Sequence, residues 1–306
     1  MARLLAKMWH ILGSGAIGSI WASKLNSLNL DITLIFRDEE RLGSFATTGN
    51  LVSVRSDQGL DQFQCLATTA NKLTTPIQNL LVATKAFDAV SAITTLSNWL
   101  TAESTIVVMI NGYGVQQELQ TKFPHLIFTF ASTTDGGYKT GEFETVWAGQ
   151  GKTLVGSIKG TAKTPKEWEA LPQIEATEDI DLILWRKLAI NCCINPLTVK
   201  YNCRNGELLD IPGAMAEMSI IASEFEAISN ATQKHLFDTP LLDQAKLVAR
   251  TTQGNISSML QDIRAGRRTE IRQITGALCD LAEQSGLAVP HNQSLLKLII
   301  DLETNG

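Results

Sequence analysis

The residues best suited to chemistry form a polar stripe in an otherwise apolar segment. The segment reads WRKLAINCCINPLT over residues 185–198, and Lys187, Asn191 and Asn195 recur in it at intervals of four. This spacing places the three side chains along one face of a helix. A lysine ammonium aimed at a ketone oxygen can polarise the carbonyl and then protonate the alkoxide that hydride addition leaves. The same residues would also suit a structural lysine paired with a carboxylate, with asparagines bonded to neighbouring helices.

A second polar set, Asn255, Ser258 and Asp262, falls within a predicted helix at intervals of three and four. This spacing again places the side chains on one helical face. Thr269 can cap the next helix, which puts Glu270 in its first turn, where the helix dipole favours negative charge. Glu270 is therefore either a functional carboxylate or simply a helix-start residue.

A glycine-rich motif with the pattern G-x-G-x-x-G follows the first predicted strand. In such a motif the first glycine permits a tight turn, the second lets the backbone approach a diphosphate, and the third lets the following helix pack closely. The helix N-terminus then offers free N–H groups to the diphosphate. The alternative is a glycine-rich turn without a ligand. The predicted cofactor-binding residues here are Gly13, Ser14, Gly15, Ala16, Ile17 and Gly18.

The end of the second predicted strand bears on which dinucleotide binds. Domains that bind NAD usually place Asp or Glu there, to accept hydrogen bonds from the ribose hydroxyls. This strand ends at Phe36 and is followed by Arg37, and an arginine can pair with the 2′-phosphate of NADP and stack on adenine. Asp38 comes one residue late, and Arg41 either adds positive charge or faces solvent. We therefore expect NADPH rather than NADH.

Two further polar residues follow predicted strands. Lys85, in Thr84-Lys85-Ala86, follows the third strand, and Asn111, in Asn111-Gly112, follows the fourth. Ligands of open α/β sheets bind at the carboxyl ends of the strands, so both residues are candidates for the cofactor site. A solvated loop lysine and a turn asparagine are the alternatives.

The elements that must position these residues alternate between strands and helices in the first half of the chain, which predicts a parallel sheet. The fold class is α/β, with a Rossmann-type doubly wound sheet domain at residues 1–178 and an all-helical C-terminal domain at 179–306. The predicted strands are His10–Leu12, Asp31–Phe36, Asn79–Thr84, Thr105–Ile110 and Leu126–Phe130, and the predicted helices are Ala16–Leu28, Phe87–Leu100, Leu182–Asn195, Ala214–His235, Leu241–Ile263 and Glu270–Ser285.

The stretch between Gly136 and Gly156 has short β-prone pieces separated by glycines. This texture predicts an antiparallel hairpin that closes the edge of the sheet. No strand is predicted after Pro165 and Pro172.

Composition limits the class of partner. The formal charge of −5 argues against nucleic acid and against an anionic membrane surface, since both attract basic proteins. The five cysteines lack the spacing of a metal site or disulfide framework, which fits a reduced, cytoplasmic chain without a metal. Cys192 and Cys193 are interpreted as buried helix residues rather than a redox pair. Self-association is possible but cannot be inferred from this sequence.

Several of these segments resemble those of the ketopantoate reductase family. The resemblance rests on 185–198, on NGEL at Asn205–Leu208, on NISSMLQDIRAGRRTEI at 255–271, and on the glycine, Thr84-Lys85-Ala86 and Asn111-Gly112 motifs. The segments occur in order over nearly the whole chain.

This resemblance implies roles at matching positions. Lys187 would be the general acid, and Glu270 would hold the hydroxyl group of ketopantoate near that lysine. Ser258 would bond the substrate carboxylate. The other implied contacts are Asn111, Asn191 and Asn195 for substrate, Asn255 and Asp262 shaping or closing the cleft, Lys85 near the nicotinamide, and Arg37 at the 2′-phosphate. Asn111 is also a candidate cofactor-binding residue.

The resemblance implies NADPH-dependent reduction of 2-dehydropantoate (ketopantoate) to pantoate, a step of pantothenate and coenzyme A biosynthesis. The implied partner is a small-molecule 2-keto acid. Two alternatives stay open: a reductase of another small branched 2-keto acid, and a non-catalytic NADPH-binding sensor with the same fold.

Overall fold

A computed structural model describes residues 8–158 and 164–305 of the chain. These residues form two compact units. The described part of the first unit comprises 8–110, 115–158 and 164–181, and that of the second comprises 111–114 and 182–305. None of the helices described in these ranges is long and apolar enough to cross a bilayer.

The first unit holds all the strands that the structure describes. They are β1 (Met8–Leu12), β2 (Asp31–Phe36), β3 (Leu51–Ser56), β4 (Gly59–Gln64), β5 (Leu66–Thr69), β6 (Asn79–Val82), β7 (Thr105–Val108), β8 (Phe128–Thr133), β9 (Gly136–Lys139), β10 (Glu144–Gly149), β11 (Thr153–Gly156) and β12 (Ile174–Ala176). The helices between them are α1 (Ala16–Ser27), α2 (Glu39–Thr47), α3 (Ala86–Leu96) and α4 (Val115–Lys122).

The main sheet has eight strands in the order β12-β11-β8-β7-β6-β1-β2-β5. Every pair from β8 to β5 in this order is parallel. Successive strands run outward from β1 on one side and from β6 on the other, so the strand order switches between them. Ligands of such sheets bind beyond the carboxyl ends of the strands at that switch point. The predicted Rossmann-type sheet is therefore confirmed.

The predicted edge hairpin is wrong in its position. Strands β9 and β10 are antiparallel, but β10 pairs with β3, which gives a separate four-stranded sheet in the order β4-β3-β10-β9. The main sheet is instead extended by β11, antiparallel to β8, and by β12. Strand β12 follows Pro172, which corrects the prediction that strands end there. Strand β12 is only three residues long and pairs with three residues of β11. The composition of so short a segment does not indicate a strand.

A buried ion pair joins α1 to the start of β9. Lys24 Nζ lies 2.6 Å from Asp135 Oδ2, and the two side chains are 5% and 0% exposed. The Trp147 indole N–H and the Gly151 backbone N–H donate to the other carboxylate oxygen. Burying a charge is costly unless it is paired and hydrogen-bonded. The donors around Asp135 meet that requirement.

The second unit is built from helices around one apolar core. They are α5 (Ile180–Lys200, of which 182–200 belong to this unit), α6 (Pro212–Ala231), α7 (Leu241–Thr251), α8 (Ser258–Arg264), α9 (Ala277–Gln284) and α10 (Pro290–Asn305). A π-helical turn at Arg272–Gly276 leads directly into α9. The predicted helical character of this region is confirmed. The single helix predicted for Leu241–Ile263 is wrong, because α7 ends at Thr251 and Ser257 caps a new helix.

Breaking the buried ion pair provides a test of how the second sheet is attached. Lys24→Met keeps a side chain of similar length but leaves Asp135 without its cation. We expect the free energy of unfolding to fall by roughly 3 kcal/mol, as is usual when one partner of a buried pair is removed. Urea unfolding measures the change.

Lys152→Met is the matched control for that variant, because Lys152 and Glu175 form an exposed ion pair. Exposed pairs contribute less than about 1 kcal/mol. Equally small losses for the two lysine variants would contradict the stabilising role given to Lys24.

Candidate active site

The glycine motif forms a tight connection between β1 and α1. Gly13 has a φ of +106°, and a side chain there would meet the backbone of Ala83 at 2.7 Å. A Cβ on Gly18 would lie 1.8 Å from the Gly13 carbonyl oxygen, whereas nothing lies within 4 Å of a Cβ built on Gly15. The first and third glycines therefore allow close backbone contacts within the protein, and Gly15 faces open space.

The N-terminus of α1 suits an anionic ligand. Gly15 occupies the capping position without a side-chain cap, and the first turn contains no acidic residue. Free N–H groups and the helix dipole then favour an anion. The side-chain hydroxyl of Thr84, which follows β6, is buried and has no hydrogen-bond partner among the described residues. These features fit the diphosphate of a dinucleotide cofactor.

Arg37 and Asp38 at the end of β2 differ in their availability to a ligand. The Arg37 side chain is 93% exposed, and its Nε lies 3.1 Å from Asp38 Oδ2. The other oxygen of Asp38 accepts a hydrogen bond from the Arg41 backbone N–H at 2.8 Å, which caps α2. That bond, followed by the one from Arg37, lowers the pKa of Asp38. Asp38 is thus a helix cap, and the Arg37 guanidinium stays largely in solvent.

Lys85 occupies the capping position of α3, directly after the carboxyl end of β6. Its side chain is half-buried, and its carbonyl accepts a hydrogen bond from the Asp88 N–H. The first unit therefore holds the glycine motif, Arg37 and Lys85 at the ends of three neighbouring strands, β1, β2 and β6.

The polar stripe of the second unit lies on α5, as its spacing predicts. Lys187 and Asn191 are half-buried, and Asn195 is buried. Pro196 lies inside the helix and cannot donate a backbone hydrogen bond to the preceding turn. The helix continues to Lys200 nevertheless, because the residues after Pro196 pack into the core.

Asn111 and Glu270 form a direct contact. The Asn111 amide donates to Glu270 Oε2 at 3.0 Å, and Glu270 is only 4% exposed. Asn111 lies in the short segment 111–114, which belongs to the second unit although it lies within the range 1–178 predicted for the first domain.

Two further contacts hold segment 111–114 in place. The Tyr113 N–H donates to the Gln273 carbonyl oxygen at 2.9 Å, and the Tyr113 ring packs edge-on against Trp185 with centroids 5.5 Å apart. Gly112 has a φ of +83°, and a Cβ there would lie 2.5 Å from the same carbonyl oxygen of Gln273. The π-helical turn that contains Gln273 thus holds the segment that carries Asn111 by a hydrogen bond and close packing.

Glu270 itself is fixed by the chain on both sides of it. The Thr269 hydroxyl accepts a hydrogen bond from the Ile271 N–H at 3.1 Å, as its predicted capping role requires. Glu303, on α10, accepts hydrogen bonds from the N–H and hydroxyl of Thr269 and forms an ion pair with Arg272. These contacts orient the turn that presents the Glu270 carboxylate.

The residues predicted to share one helical face with Ser258 are split by the start of α8. Ser258 is the first residue of α8 and is exposed, and Asp262 is buried and pairs with Arg267 at 3.0 Å. Asn255 lies before the helix in an exposed loop, so its predicted helical placement is wrong. The Asn255 carbonyl accepts a hydrogen bond from the Asn205 N–H, which ties the NGEL segment to this loop.

Ser257 and Glu303 are site-supporting residues that sequence reasoning missed. The Ser257 hydroxyl lies 2.6 Å from that of Thr198 on α5 and accepts a hydrogen bond from the Leu260 N–H. It therefore joins the helix of Lys187 to the helix of Ser258. A serine at a helix start is a recognised capping signal, but the prediction of one long helix concealed it. No sequence pattern points to Glu303, which acts across a separation of 34 residues.

The vicinal cysteines are buried on α5. Burial raises the pKa of the Cys192 thiol and also that of Cys193. Both therefore remain protonated thiols at neutral pH, and a reactive thiolate is not formed there.

Comparison with known proteins places this geometry in a family. Residues 9–160 match the family described as ketopantoate reductase PanE/ApbA, and residues 179–303 match its C-terminal domain. The chain belongs to the ketopantoate reductase family. The chain is 33% identical to the 2-dehydropantoate 2-reductase of Yersinia pestis over 94% of its own length and 93% of the relative. It is 31% identical to that of Vibrio cholerae, over 96% and 97% of the two chains.

Solved structures share the fold of this family member. A PanE/ApbA family ketopantoate reductase from Ralstonia eutropha superposes with a TM-score of 0.87 at 21% identity, over 97% of this chain and 98% of that one. A D-mandelate dehydrogenase bound to NADH and anilino(oxo)acetate gives a TM-score of 0.85 at 18% identity, with the same coverage of both chains. These structures show the fold that the chain shares with them, and membership of the ketopantoate reductase family makes the chain an oxidoreductase.

Neighbouring serines offer a test of the support between α5 and α8. Ser257→Ala removes the helix cap and the bond to Thr198, so we expect the free energy of unfolding to fall by about 1–2 kcal/mol. Ser258→Ala is the control, because its side chain is exposed, and should change stability by less than about 0.5 kcal/mol. Thermal or urea unfolding gives both values. A larger loss for Ser258→Ala than for Ser257→Ala would contradict the capping assignment.

Proposed function

We propose that this chain reduces ketopantoate to pantoate and uses NADPH as its cofactor. The observation that carries the proposal is the match over almost the whole chain to relatives named 2-dehydropantoate 2-reductase, among them that of Yersinia pestis. The contact between Asn111 and the buried Glu270 carboxylate supports it, since a buried acceptor suits the hydroxyl group that distinguishes ketopantoate from simpler 2-keto acids.

The preference for NADPH rests on the end of β2. Arg37 is exposed and offers its guanidinium, while Asp38 is engaged as the cap of α2. A free carboxylate would favour the ribose hydroxyls of NADH, and an exposed arginine favours the 2′-phosphate of NADPH. The glycine motif would hold the diphosphate at the N-terminus of α1, and Lys85 would lie near the nicotinamide.

The chemistry needs a hydride and a proton, and the cofactor supplies the hydride when bound. Lys187 supplies the proton: its ammonium polarises the keto oxygen and then donates to the developing alkoxide. Asn191 and Asn195, on the same face of α5, are placed to bind the keto oxygen or the carboxylate. Ser258 binds the substrate carboxylate from the start of α8, and Asn255 contributes from the preceding loop.

Glu270 and Asn111 act on the substrate hydroxyl group. The Glu270 carboxylate accepts from that hydroxyl, and the Asn111 amide keeps the carboxylate oriented through their 3.0 Å hydrogen bond. A fixed acceptor in a buried site discriminates strongly against a substrate that lacks the matching donor, because the hydrogen bond between substrate and carboxylate is then not formed.

Replacing the proposed acid tests the mechanism. Lys187→Ala should lower the turnover of ketopantoate by about 10²–10⁴, the usual contribution of a positioned general acid, while the Kd for NADPH remains almost unchanged. Steady-state kinetics and a binding titration give the two quantities. Lys200→Ala is the control, because Lys200 lies at the exposed end of the same helix and pairs with Glu217. Near-normal turnover in Lys187→Ala would show that the acid is misassigned.

Replacing the proposed hydroxyl acceptor tests the substrate. Glu270→Gln removes the negative charge with almost no change of shape, so kcat/KM for ketopantoate should fall by about tenfold or more, as expected for a lost charge-assisted hydrogen bond. The value for an analogue without the hydroxyl group, 2-ketoisovalerate, should change much less. Equal losses for the two keto acids would contradict hydroxyl recognition by Glu270.

A further inference from the structure

A second cation lies beside the glycine motif on the β9–β10 hairpin, and its position depends on close packing. Gly137 in β9 faces α1, and a Cβ there would lie 2.6 Å from Ile20 Cδ1 and 3.7 Å from Ala16 Cβ. Ala16 is the first residue of α1. The hairpin therefore rests on the end of α1 where the glycine motif begins the helix.

Lys139, two residues further along β9, points toward this motif. Its Nζ donates to the Ser14 carbonyl at 3.2 Å and also to the Glu142 carbonyl. Both partners are neutral backbone groups, and within 8–158 and 164–305 no carboxylate oxygen lies within ion-pair distance of this ammonium. The half-buried lysine thus brings a positive charge to the glycine motif without a direct anionic partner.

The ring of Phe143 fixes this lysine relative to the end of β2. Phe143 packs against Phe36, the residue before Arg37, with ring centroids 5.8 Å apart. Lys139 Nζ lies 5.6 Å and the Arg41 guanidinium 4.6 Å from the centroid of the same ring. The hairpin loop therefore lies against the carboxyl ends of both β1 and β2.

Of the two cations on this ring, Arg41 is already neutralised. Its Nη1 lies 2.5 Å from Glu142 Oε1, and the second oxygen of Glu142 accepts from the Ser44 hydroxyl. Lys139 is the cation whose charge remains available to an incoming phosphate.

We infer that Lys139 is a specificity-determining residue that binds the 2′-phosphate of NADPH together with Arg37. The inference rests on the proposed cofactor and adds a residue to it. In a Rossmann-type unit the adenosine ribose lies over the ends of the first two strands, which is where the contacts of Lys139 to Ser14 and Phe143 hold its ammonium. A phosphate there would complete its hydrogen bonding and neutralise its charge.

The titration of Lys139 gives the inference a pH dependence that can be measured. Burial, and then the nearby Arg41 guanidinium, lower the pKa of Lys139 to about 8, although Glu142 opposes the shift. Lys139 is therefore charged at pH 7 and largely neutral at pH 9. A bound phosphate dianion favours the charged form, so NADPH binding takes up a proton above pH 8 and weakens as the pH rises.

Fluorescence titration of the whole chain with NADPH and with NADH tests the inference without turnover. Lys139→Gln keeps a hydrogen-bond donor but removes the charge. It should weaken NADPH binding by about tenfold or more, the usual effect of losing a charge-assisted bond, and leave NADH binding almost unchanged. Lys139→Arg should retain the NADPH preference. Lys152→Gln, at an exposed lysine paired with Glu175, is the matched control and should bind both cofactors normally.

The pH series and the pattern of losses separate the possible results. Wild-type affinity for NADPH should fall several-fold from pH 7 to pH 9, and that of Lys139→Arg should not. Equal losses for NADPH and NADH in Lys139→Gln, or no loss for either, would overturn the inference while leaving the proposed NADPH preference intact. A wild-type chain that binds NADH as tightly as NADPH would overturn both.

Discussion

A carboxylate almost removed from water constrains the arrangement of the second unit. Glu270 is 4% exposed, and a buried charge must be compensated by hydrogen bonds or by cations. The Asn111 amide supplies one such bond, and Asn111 can reach Glu270 only because segment 111–114 is docked on the π-helical turn. Gly112 permits that docking, since any side chain there would collide with Gln273. π-Helical turns are often found at functional sites, and here the Gln273 carbonyl of the turn accepts a hydrogen bond from the Tyr113 N–H of segment 111–114.

In the first unit, glycines allow the close backbone packing that shapes the start of α1. Backbone groups of Gly13 approach Ala83 so closely that a side chain could not fit, and Gly15 leaves the start of α1 open. The cost of leaving the N-terminal N–H groups of a helix without a cap is offset when an anion binds there. Lys139 on the second sheet extends the same surface, because Gly137 lets the hairpin lie directly on α1. The proposed binding of a phosphorylated cofactor would thus depend on close backbone packing as much as on charged side chains.

Local patterns predicted the parts of this architecture that depend on local chemistry. The strand Asp31–Phe36, the glycine turn and the helical stripe of Lys187, Asn191 and Asn195 follow from periodicity over a few residues. The second sheet could not be predicted in this way, because β3 and β10 pair across a separation of more than 80 residues. Neither strand has a sequence pattern that indicates which strand it pairs with. The break between α7 and α8 was hidden by apolar spacing that continues through it. Glu303 and Lys139 are far in sequence from the residues that they contact, so only the tertiary structure identifies them.

We propose that the helix of Lys187 and the buried carboxylate of Glu270 together serve the reduction of one hydroxylated 2-keto acid. The most direct measurement follows NADPH oxidation by absorbance with purified protein and compares ketopantoate with simpler 2-keto acids under identical conditions. The account predicts rapid oxidation with ketopantoate and far slower oxidation with analogues that lack its hydroxyl group. Faster oxidation with an unhydroxylated keto acid, or NADPH binding without oxidation in the presence of any of them, would contradict it.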